Sequence, residues 1–323
     1  MIFPLLNLLL LTASPQEPVK AATPVVEHIQ QRRLEITPGQ YSGITHVSED
    51  TYAVVHDKAK GGGLFFFTVG FMPDGTIGPV TAFETDAGGA SGRDNEDVVY
   101  VPETKTLFVS AEGDQSIREY TLDGKETGRK LRIPQELQKC APNAGFEALA
   151  YSDKTFWTTT EAPLPGEKRP RMHRLQSFKL KKLTAGKTCW YQTDEPSVSP
   201  EEAASAQAYV FGISAMTALP DGRLVVMERE VYVPGGGFFE KLGSFTLTSL
   251  FLVDPAHDKS EVLRKTLLTR FYTSFLNLAN FEGMCLGPVL PDGRQTLLLL
   301  ADSQDGSQGL TGEYIRVLAL DIR

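Results

Sequence analysis

Cysteine, histidine and tryptophan are scarce in this chain of 323 residues, which has three, five and two of them respectively. Three cysteines are too few for a disulfide scaffold, and their spacings do not suggest a zinc site. A Cys140–Cys189 bridge stays open for an oxidising compartment, whereas Cys285 lies in an apolar segment that predicts a buried thiol. The sequence also lacks a P-loop, a dinucleotide-binding fingerprint, a zinc motif and a G-x-S-x-G nucleophile elbow.

Basic residues are fewer than acidic ones, so the net charge is −8 and the pI is near 5.3. An acidic surface repels phosphate backbones and anionic lipid, so it argues against nucleic acid and membrane surfaces as partners. Cations, or small-molecule substrates bridged by cations, fit this charge better.

Long hydrophobic runs are missing apart from Met1–Leu11, which is too short to span a bilayer as a helix. The run resembles the apolar region of a signal peptide, although no basic residues precede it, and a ragged hydrophobic terminus is the alternative. We therefore expect a signal peptide and leader at 1–28 and one domain at 29–323. The mature protein is expected to be exported, periplasmic or secreted, and not inserted in a membrane.

Five segments repeat one pattern, in which a small or acidic residue, two apolar strands joined by a turn, and an acid follow one another. They start about 50 to 70 residues apart, at Ser42, Glu96, Glu147, Ser214 and Glu282. Strand-like runs follow each segment, among them 116–122, 130–133, 173–180, 189–193, 249–253, 262–268 and 314–322. This spacing predicts an all-β fold, a β-propeller of five four-stranded blades. The strand at 32–36 would complete the C-terminal blade and close the ring.

The repeat predicts that carboxylates converge at one mouth of the propeller channel. The start of the innermost strand and the end of the second strand are neighbours, because the two strands run antiparallel. The first position holds Ser42, Glu96, Glu147, Ser214 and Glu282, and the second holds Asp57, Glu112, Glu161, Glu228 and Asp302. Such crowded acids either have raised pKa values or are compensated by cations, and hard cations such as Ca²⁺ favour several carboxylate oxygens.

A purely structural role is an alternative to a functional one at several of these positions. A glutamate at the start of an inner strand can simply accept backbone hydrogen bonds and lock neighbouring blades together. The Asp-Gly pairs at 74–75, 221–222 and 292–293 are ordinary hairpin-turn signals. Tyr41, Phe146 and Phe281 can pack in the core or against a ligand.

Short motifs around these acids resemble the phytase-like family, often labelled "esterase-like activity of phytase". They read RDNEDVV (93–99), NAGFEALA (143–150), LVVMERE (224–230), NFEGMCLGP (280–288) and LLLLADSQ (297–304), and the resemblance extends from about Tyr41 to the C-terminus. It implies an exported bacterial propeller that hydrolyses esters, including phosphoric esters. Motifs of this kind often read D-x-E-G, but here Asp97 follows Glu96 and Ala148 follows Glu147. Asp97 would extend the acidic cluster or face solvent.

An enzyme of this kind would use a metal-assisted mechanism at the channel mouth. The expected Ca²⁺ ligands are Asp57, Glu112, Glu161, Glu228 and Asp302. The candidate catalytic residues are Glu96, Glu147, Glu282 and His56, with Glu96 or Glu282 as general base. The expected contacts to phosphate oxygens are Lys58, Arg93 and Arg229.

Two other functions stay open. A serine esterase would pair Ser42 or Ser214 with His46 or His56. A non-catalytic propeller would use the acid ring to hold a structural cation or another ligand.

Overall fold

A computed structural model of the chain describes residues 25–37, 39–58, 63–85, 90, 92–141, 143–304 and 311–322. The apolar run Met1–Leu11 and the predicted leader up to residue 24 lie outside the described residues. None of the helices within the described ranges is long and apolar enough to cross a membrane.

The chain forms five four-stranded antiparallel sheets arranged as the blades of a propeller, which confirms the predicted fold. Strands are numbered in chain order from the N-terminus. The first strand of the chain is β1 (Val25–Arg33). Blade 1 consists of β2 (Tyr41–Ser48), β3 (Thr51–His56), β4 (Leu64–Phe71) and β5 (Ile77–Glu84). Blade 2 consists of β6 (Asn95–Val101), β7 (Thr106–Ala111), β8 (Ser116–Thr121) and β9 (Glu126–Lys130).

The other three blades follow the same order from the innermost strand outwards. Blade 3 consists of β10 (Phe146–Ser152), β11 (Thr155–Thr160), β12 (Met172–Lys179) and β13 (Ala185–Gln192). Blade 4 consists of β14 (Ala208–Ala218), β15 (Leu224–Val233), β16 (Phe245–Val253) and β17 (Thr266–Ser274). Blade 5 consists of β18 (Asn280–Val289), β19 (Gln295–Asp302), β20 (Tyr314–Asp321) and the N-terminal β1.

Closure of the ring by the N-terminal strand is seen in the pairing of β1 with β20, from Val25 opposite Asp321 to Arg33 opposite Tyr314. The strand lies earlier in the chain than the predicted 32–36, and it includes residues 25–28, which were assigned to the leader. By pairing the two ends of the chain, β1 removes the open edge that blade 5 would otherwise expose.

The hydrophobic core is divided into five main clusters, one between each pair of neighbouring blades. Phe108 of blade 2, for example, packs against Phe156 of blade 3 with 4.6 Å between ring centroids. Because each inner strand is covered on both faces, the strands appear in the sequence as continuous apolar runs. Tyr41, Phe146 and Phe281 are buried, which confirms core packing for these aromatic residues.

Small residues allow the inner strands to crowd around the channel. A Cβ atom on Gly43 would lie 2.5 Å from the Cα of Asp97, and one on Gly283 would lie 2.5 Å from the carbonyl oxygen of Ser42. Glycine is therefore required where blade 1 meets blades 2 and 5.

Turns and short helices connect the strands. Gly75, Gly222 and Gly293 have φ values of 87°, 87° and 88°, and so the three Asp-Gly pairs are turns, as predicted. A short helix, α1 (Pro200–Ser205), is capped reciprocally by Ser199 and Glu202. A second helix, α2 (Phe238–Lys241), lies between β15 and β16, and a 3-10 helix spans Gln135–Gln138.

Candidate functional site

Each innermost strand carries a β-bulge, which lies near the start of the strand in blades 1, 2, 3 and 5 and in the middle of β14 in blade 4. The residues that fall within the five bulges are the first motif positions, Ser42, Glu96, Glu147, Ser214 and Glu282. A bulge bends its strand and re-aims the side chain it carries. The repeated bulge therefore explains how Glu96, Glu147 and Glu282 turn out of their sheets towards the channel.

A cavity of about 380 Å³ lies at the channel mouth, next to these bulges. Seven carboxylates line it, from Asp57, Asp94, Glu96, Glu112, Glu147, Glu161 and Glu282. Two cationic side chains, Lys58 and Arg229, line the same cavity. The structure thus brings together most of the predicted site residues, and it adds Asp94.

The first group of cavity residues is the acid arc, which we define as Asp57, Asp94, Glu96, Glu112 and Glu147. Within it, two triads have carboxylate oxygens that lie within 4.8 Å of one another. The first triad is Asp57, Asp94 and Glu96, and the second is Glu96, Glu112 and Glu147. Glu96 belongs to both, so the arc is one continuous set of oxygen donors from blades 1, 2 and 3.

Burial raises the pKa values of four acids of the arc, Asp57, Glu96, Glu112 and Glu147. Burial and the Asp94 carboxylate raise the pKa of Asp57 to about 7, against the opposing effect of Lys58. Burial raises the pKa of Glu96 well above its ordinary value, and the Asp57 carboxylate raises it further. The pKa of Glu147 is raised by burial and then by Glu96, and burial also raises the pKa of Glu112. Neighbouring acids that resist ionisation together attract either protons or cations.

The two carboxylate oxygens of Asp57 differ in their hydrogen bonds. Its Oδ2 accepts a hydrogen bond from Lys58 Nζ at 2.8 Å, and Lys58 also lies 3.9 Å from Asp94. Its Oδ1 is buried and has no hydrogen-bond partner among the described residues. A buried oxygen without a partner is costly, and so Oδ1 favours contact with a hydrogen-bond donor or a cation.

The second group is the arginine cluster, which we define as Glu161, Arg229, Asn280 and Glu282. Arg229 donates hydrogen bonds to Glu161 and Glu282 and a third one to Asn280 Oδ1 at 3.0 Å. Only 4% of its side chain is exposed. Burial opposes ionisation of Arg229, but the carboxylates of Glu282 and Glu161 raise its pKa above the ordinary value. The cluster joins blades 3, 4 and 5 through a buried, compensated charge network.

Glu228, a predicted metal ligand, lies away from the cavity. It accepts hydrogen bonds from Tyr191 Oη at 2.5 Å, Lys265 Nζ at 2.6 Å and the backbone N–H of Asp194 at 2.9 Å. These contacts tie blade 4 to blade 3. Arg229 takes the channel-facing position instead, because successive side chains of a strand point to opposite faces.

His56 and Arg93 are also placed elsewhere. His56 lines a different cavity on blade 1 and packs against Tyr41 and Phe65, with ring centroids 5.6 Å and 5.8 Å away. Arg93 forms an ion pair with Asp114 at 2.7 Å in blade 2. Neither side chain lines the cavity at the channel mouth, so the structure does not support the predicted roles.

Asp302 lies beside the site rather than in it. Only 1% of the residue is exposed, and burial and the Glu282 carboxylate raise its pKa well above the ordinary value. It accepts a hydrogen bond from the backbone N–H of Gln304 at 2.7 Å. Asp302 is thus a buried carboxyl group that interacts with Glu282 and does not line the cavity.

Asp97 has the blade-locking role that was considered for the glutamates. Its buried carboxylate accepts hydrogen bonds from the backbone N–H groups of Val98 at 2.8 Å and Leu149 at 2.7 Å. The second bond joins blade 2 to blade 3. Asp97 therefore neither extends the acid arc nor faces solvent.

The structure gives no support to a serine nucleophile. Ser42 and Ser214 are buried, and Ser214 Oγ donates to the carbonyl oxygen of Phe281 at 3.2 Å. Among the described residues that line the cavity there is no serine, histidine or cysteine. Cys140, Cys189 and Cys285 are free thiols, and Cys285 is buried as predicted.

Two residues of the site escaped the sequence analysis. Asp94 stands two residues before the repeated glutamate, in the left-handed region with a φ of 59°. Asn280 stands two residues before Glu282 and donates to it at 2.8 Å. The shared spacing D-x-E and N-x-E is a signal that could have identified both.

The chain is similar to one protein family and to several solved structures. The model of the phytase-like family, described as "esterase-like activity of phytase", matches residues 36–304. Among curated proteins no relative matches the chain.

Solved structures similar to the chain include hydrazine synthase from Kuenenia stuttgartiensis, with 10% identity, a TM-score of 0.43, and coverage of 90% of this chain and 98% of that one. The periplasmic gluconolactonase from Pseudomonas aeruginosa has 16% identity and a TM-score of 0.36, with coverage of 83% and 67%. A streptogramin B lyase has 13% identity and a TM-score of 0.38, with coverage of 92% and 98%. Similarity this distant carries no argument about function.

Proposed function

The chain belongs to the phytase-like family, and from that premise we propose that it is an exported hydrolase of phosphoric or other esters whose acid arc binds Ca²⁺. The observation that carries the proposal is the pair of carboxylate triads that share Glu96. Function outside the cytoplasm rests on the apolar run Met1–Leu11.

The residues of the acid arc fit a hard divalent cation. All their donor atoms are carboxylate oxygens, the ligands that Ca²⁺ prefers, and Asp57 Oδ1 is buried without a partner among the described residues. Within the described residues, Lys58 supplies the only ion pairs to the arc. We assign the cation to Asp57, Asp94 and Glu96, because Glu112 already accepts a hydrogen bond from the backbone N–H of Gly145.

Bound Ca²⁺ would neutralise a substrate phosphate and polarise it towards attack by water. Lys58 and Arg229 are the side chains that contact phosphate oxygens in this proposal. Lys58 is accessible to a ligand, since 66% of its side chain is exposed, whereas Arg229 is held in place by two carboxylates.

Glu147 is the proposed general base. It lines the cavity beside Glu96, and burial raises its pKa, which makes its carboxylate a stronger base. Glu147 accepts the proton of the attacking water as the new phosphorus–oxygen bond forms. The ester phosphorus–oxygen bond then breaks, and the alcohol leaves with the proton that Glu147 took up, which regenerates the carboxylate. Glu282 is less suited to this role because it is committed to Arg229.

The test is hydrolysis of a panel of phosphoric and carboxylic esters by metal-free protein, before and after addition of Ca²⁺. We expect turnover of phosphomonoesters that needs Ca²⁺ and is lost in Asp57→Asn. The matched control is Glu119→Gln, a buried carboxylate of blade 2 that pairs with Arg129 outside the cavity. Unchanged turnover after complete removal of divalent metal would rule out the mechanism.

A non-catalytic propeller is the second candidate, because the same triads would serve equally well to hold a structural cation. It predicts a melting temperature that rises with Ca²⁺ and no turnover of any ester in the panel. The two functions are separated by the same experiment when melting and turnover are measured on one preparation.

A further inference from the structure

Blade 4 is taller than the other blades at the channel mouth. In blades 1, 2 and 3 the second strand ends directly before Asp57, Glu112 and Glu161. In blade 4, β15 continues to Val233, four residues beyond Arg229. At about 3.3 Å per residue, this extension is about 13 Å long.

The extension presents an apolar surface to the cavity. Ala208 pairs with Val233 and Val210 pairs with Val231, directly above the pair of Gly212 and Arg229. Alternate residues of a strand share a face, and we name these four residues, Ala208, Val210, Val231 and Val233, the apolar wall. All four line the cavity that the acid arc also lines.

The apolar wall is not explained by burial in the core. Val210 is 37% exposed, and Ala208, Val231 and Val233 also keep some solvent contact. None of them belongs to the five clusters between the blades. A strand that rises into water would ordinarily carry polar residues on such a face, so the wall points to an apolar ligand group.

We propose that the site takes monoesters of phosphoric acid that carry an apolar alkyl or aryl group, which lies on the apolar wall. The inference rests on the proposed function, because the phosphate is assigned to the acid arc, Lys58 and Arg229. The cavity then has a charged side and an apolar side, and Arg229 lies where the charged side meets the apolar wall. A densely phosphorylated polyol fits less well, since it would place charged groups against valine side chains and lose their hydration.

The test compares the binding of methylphosphonate and phenylphosphonate to the full protein in the presence of Ca²⁺, by calorimetry. We expect phenylphosphonate to bind about tenfold more tightly, as burial of an aromatic ring against valines predicts. In the double variant Val210→Thr, Val231→Thr we expect this preference to fall to about threefold or less, with methylphosphonate binding unchanged. Threonine suits β-strands, and thermal melting verifies the fold of the variant.

The matched control is Val289→Thr, an exposed valine at the other end of an inner strand, 62% exposed, which must keep the preference. Equal affinity for the two phosphonates, or a preference that survives in the double variant, overturns the inference. Phosphonates are not hydrolysed, so the outcome is independent of catalysis. A phenyl preference without ester turnover rejects only the proposed hydrolase, turnover without the preference rejects only the wall, and failure of both ligands to bind rejects both.

Discussion

The two halves of the channel mouth solve the same electrostatic problem in different ways. In the arginine cluster, Arg229 compensates Glu161 and Glu282 from within the protein. In the acid arc, the described residues supply only Lys58, which is mostly exposed. One position accounts for the difference, because Arg229 occupies in β15 the register that Glu161 occupies after β11. The five-fold repeat of the blades thus brings carboxylates together at the channel mouth. The positive charge of Arg229, at a position where blade 3 has the carboxylate of Glu161, determines which half of the mouth can accept a cation.

The largest expected effect comes from Glu147, which shares its bulge position with Glu282 of the arginine cluster. We expect Glu147→Gln to lower kcat by about 10²- to 10⁴-fold, as loss of a general base predicts. Calcium affinity should stay nearly unchanged, because Asp57, Asp94 and Glu96 remain. Turnover of an aryl phosphate and a calcium titration measure the two effects separately.

The matched variant is Glu282→Gln, at the same position of blade 5. It should lower kcat by about tenfold or less, because Glu282 positions Arg229 and takes up no proton. If the two variants lost turnover equally, the proposed division between the two halves would be wrong.

The second expected effect is a loss of stability in Arg229→Met, the variant that converts the arginine cluster into another acid arc. Arg229→Met leaves Glu161 and Glu282 buried without their cation, and we expect a loss of about 3–5 kcal/mol. The loss should be smaller at pH 5 than at pH 8, because the two carboxyl groups can then take up protons. Urea unfolding at both pH values measures it.

The control for Arg229→Met is Arg129→Met, which removes the partner of another buried carboxylate, Glu119. Arg129 has 42% of its side chain exposed, and Glu119 also accepts hydrogen bonds from Thr106 and Thr127. Its loss should cost only about 1 kcal/mol or less. Equal losses in the two variants would show that the arginine cluster is an ordinary ion pair.

The third effect is a change in the sign of the pH dependence when Ca²⁺ is present. The raised pKa values of Asp57, Glu96 and Glu147 mean that the metal-free folded protein holds protons that the unfolded chain releases near pH 4. The contribution of Asp57 to stability is therefore fully present below about pH 4 and is lost as the pH rises through about 7, and the contributions of Glu96 and Glu147 change in the same direction.

Calcium should restore that stability at pH 8, where the carboxylates are ionised, by about 2.7 kcal/mol at a concentration a hundredfold above Kd. At pH 5 protons compete with the cation, and the effect should be much smaller. Unfolding curves with and without Ca²⁺ at both pH values measure it. A calcium effect that is equal at pH 5 and pH 8 would contradict the assignment of the cation to the acid arc.

The sequence was sufficient for the architecture because every blade repeats the same hairpin. The spacing of the five motifs identified the blades, and their acids identified the mouth. The outer strands were predicted less well: β9 (Glu126–Lys130) and β17 (Thr266–Ser274) overlap only in part with the predicted 130–133 and 262–268. All five residues of β9 are exposed, so its sequence has no apolar alternation to reveal the strand.

The error at Glu228 has a simple geometric cause. The hairpin of blade 3 turns through two residues between Ser152 and Thr155, whereas that of blade 4 turns through 219–223 between Ala218 and Leu224. Because each of the two strands of blade 4 also has one residue fewer between the bulge and the turn, the net shift of the register is one residue. A shift of one residue moves every side chain to the other face. Alignment of the final acids therefore selected Glu228, and the channel-facing residue is Arg229.

The smallest expected effect concerns Lys58, the internal competitor for the acid arc. Lys58 is the exposed partner of its ion pair with Asp57, so Lys58→Met should change stability by no more than about 1 kcal/mol. Because a positive charge is removed next to Asp57 and Asp94, Ca²⁺ should bind about threefold more tightly, while the KM for a phosphomonoester should rise. Calorimetry with Ca²⁺ and steady-state kinetics measure the two changes, and Lys125→Met, on an exposed pair with Asp123 in blade 2, is the control. Weaker calcium binding in Lys58→Met would mean that Lys58 organises the arc, and the contrast between the two halves of the mouth would lose its basis.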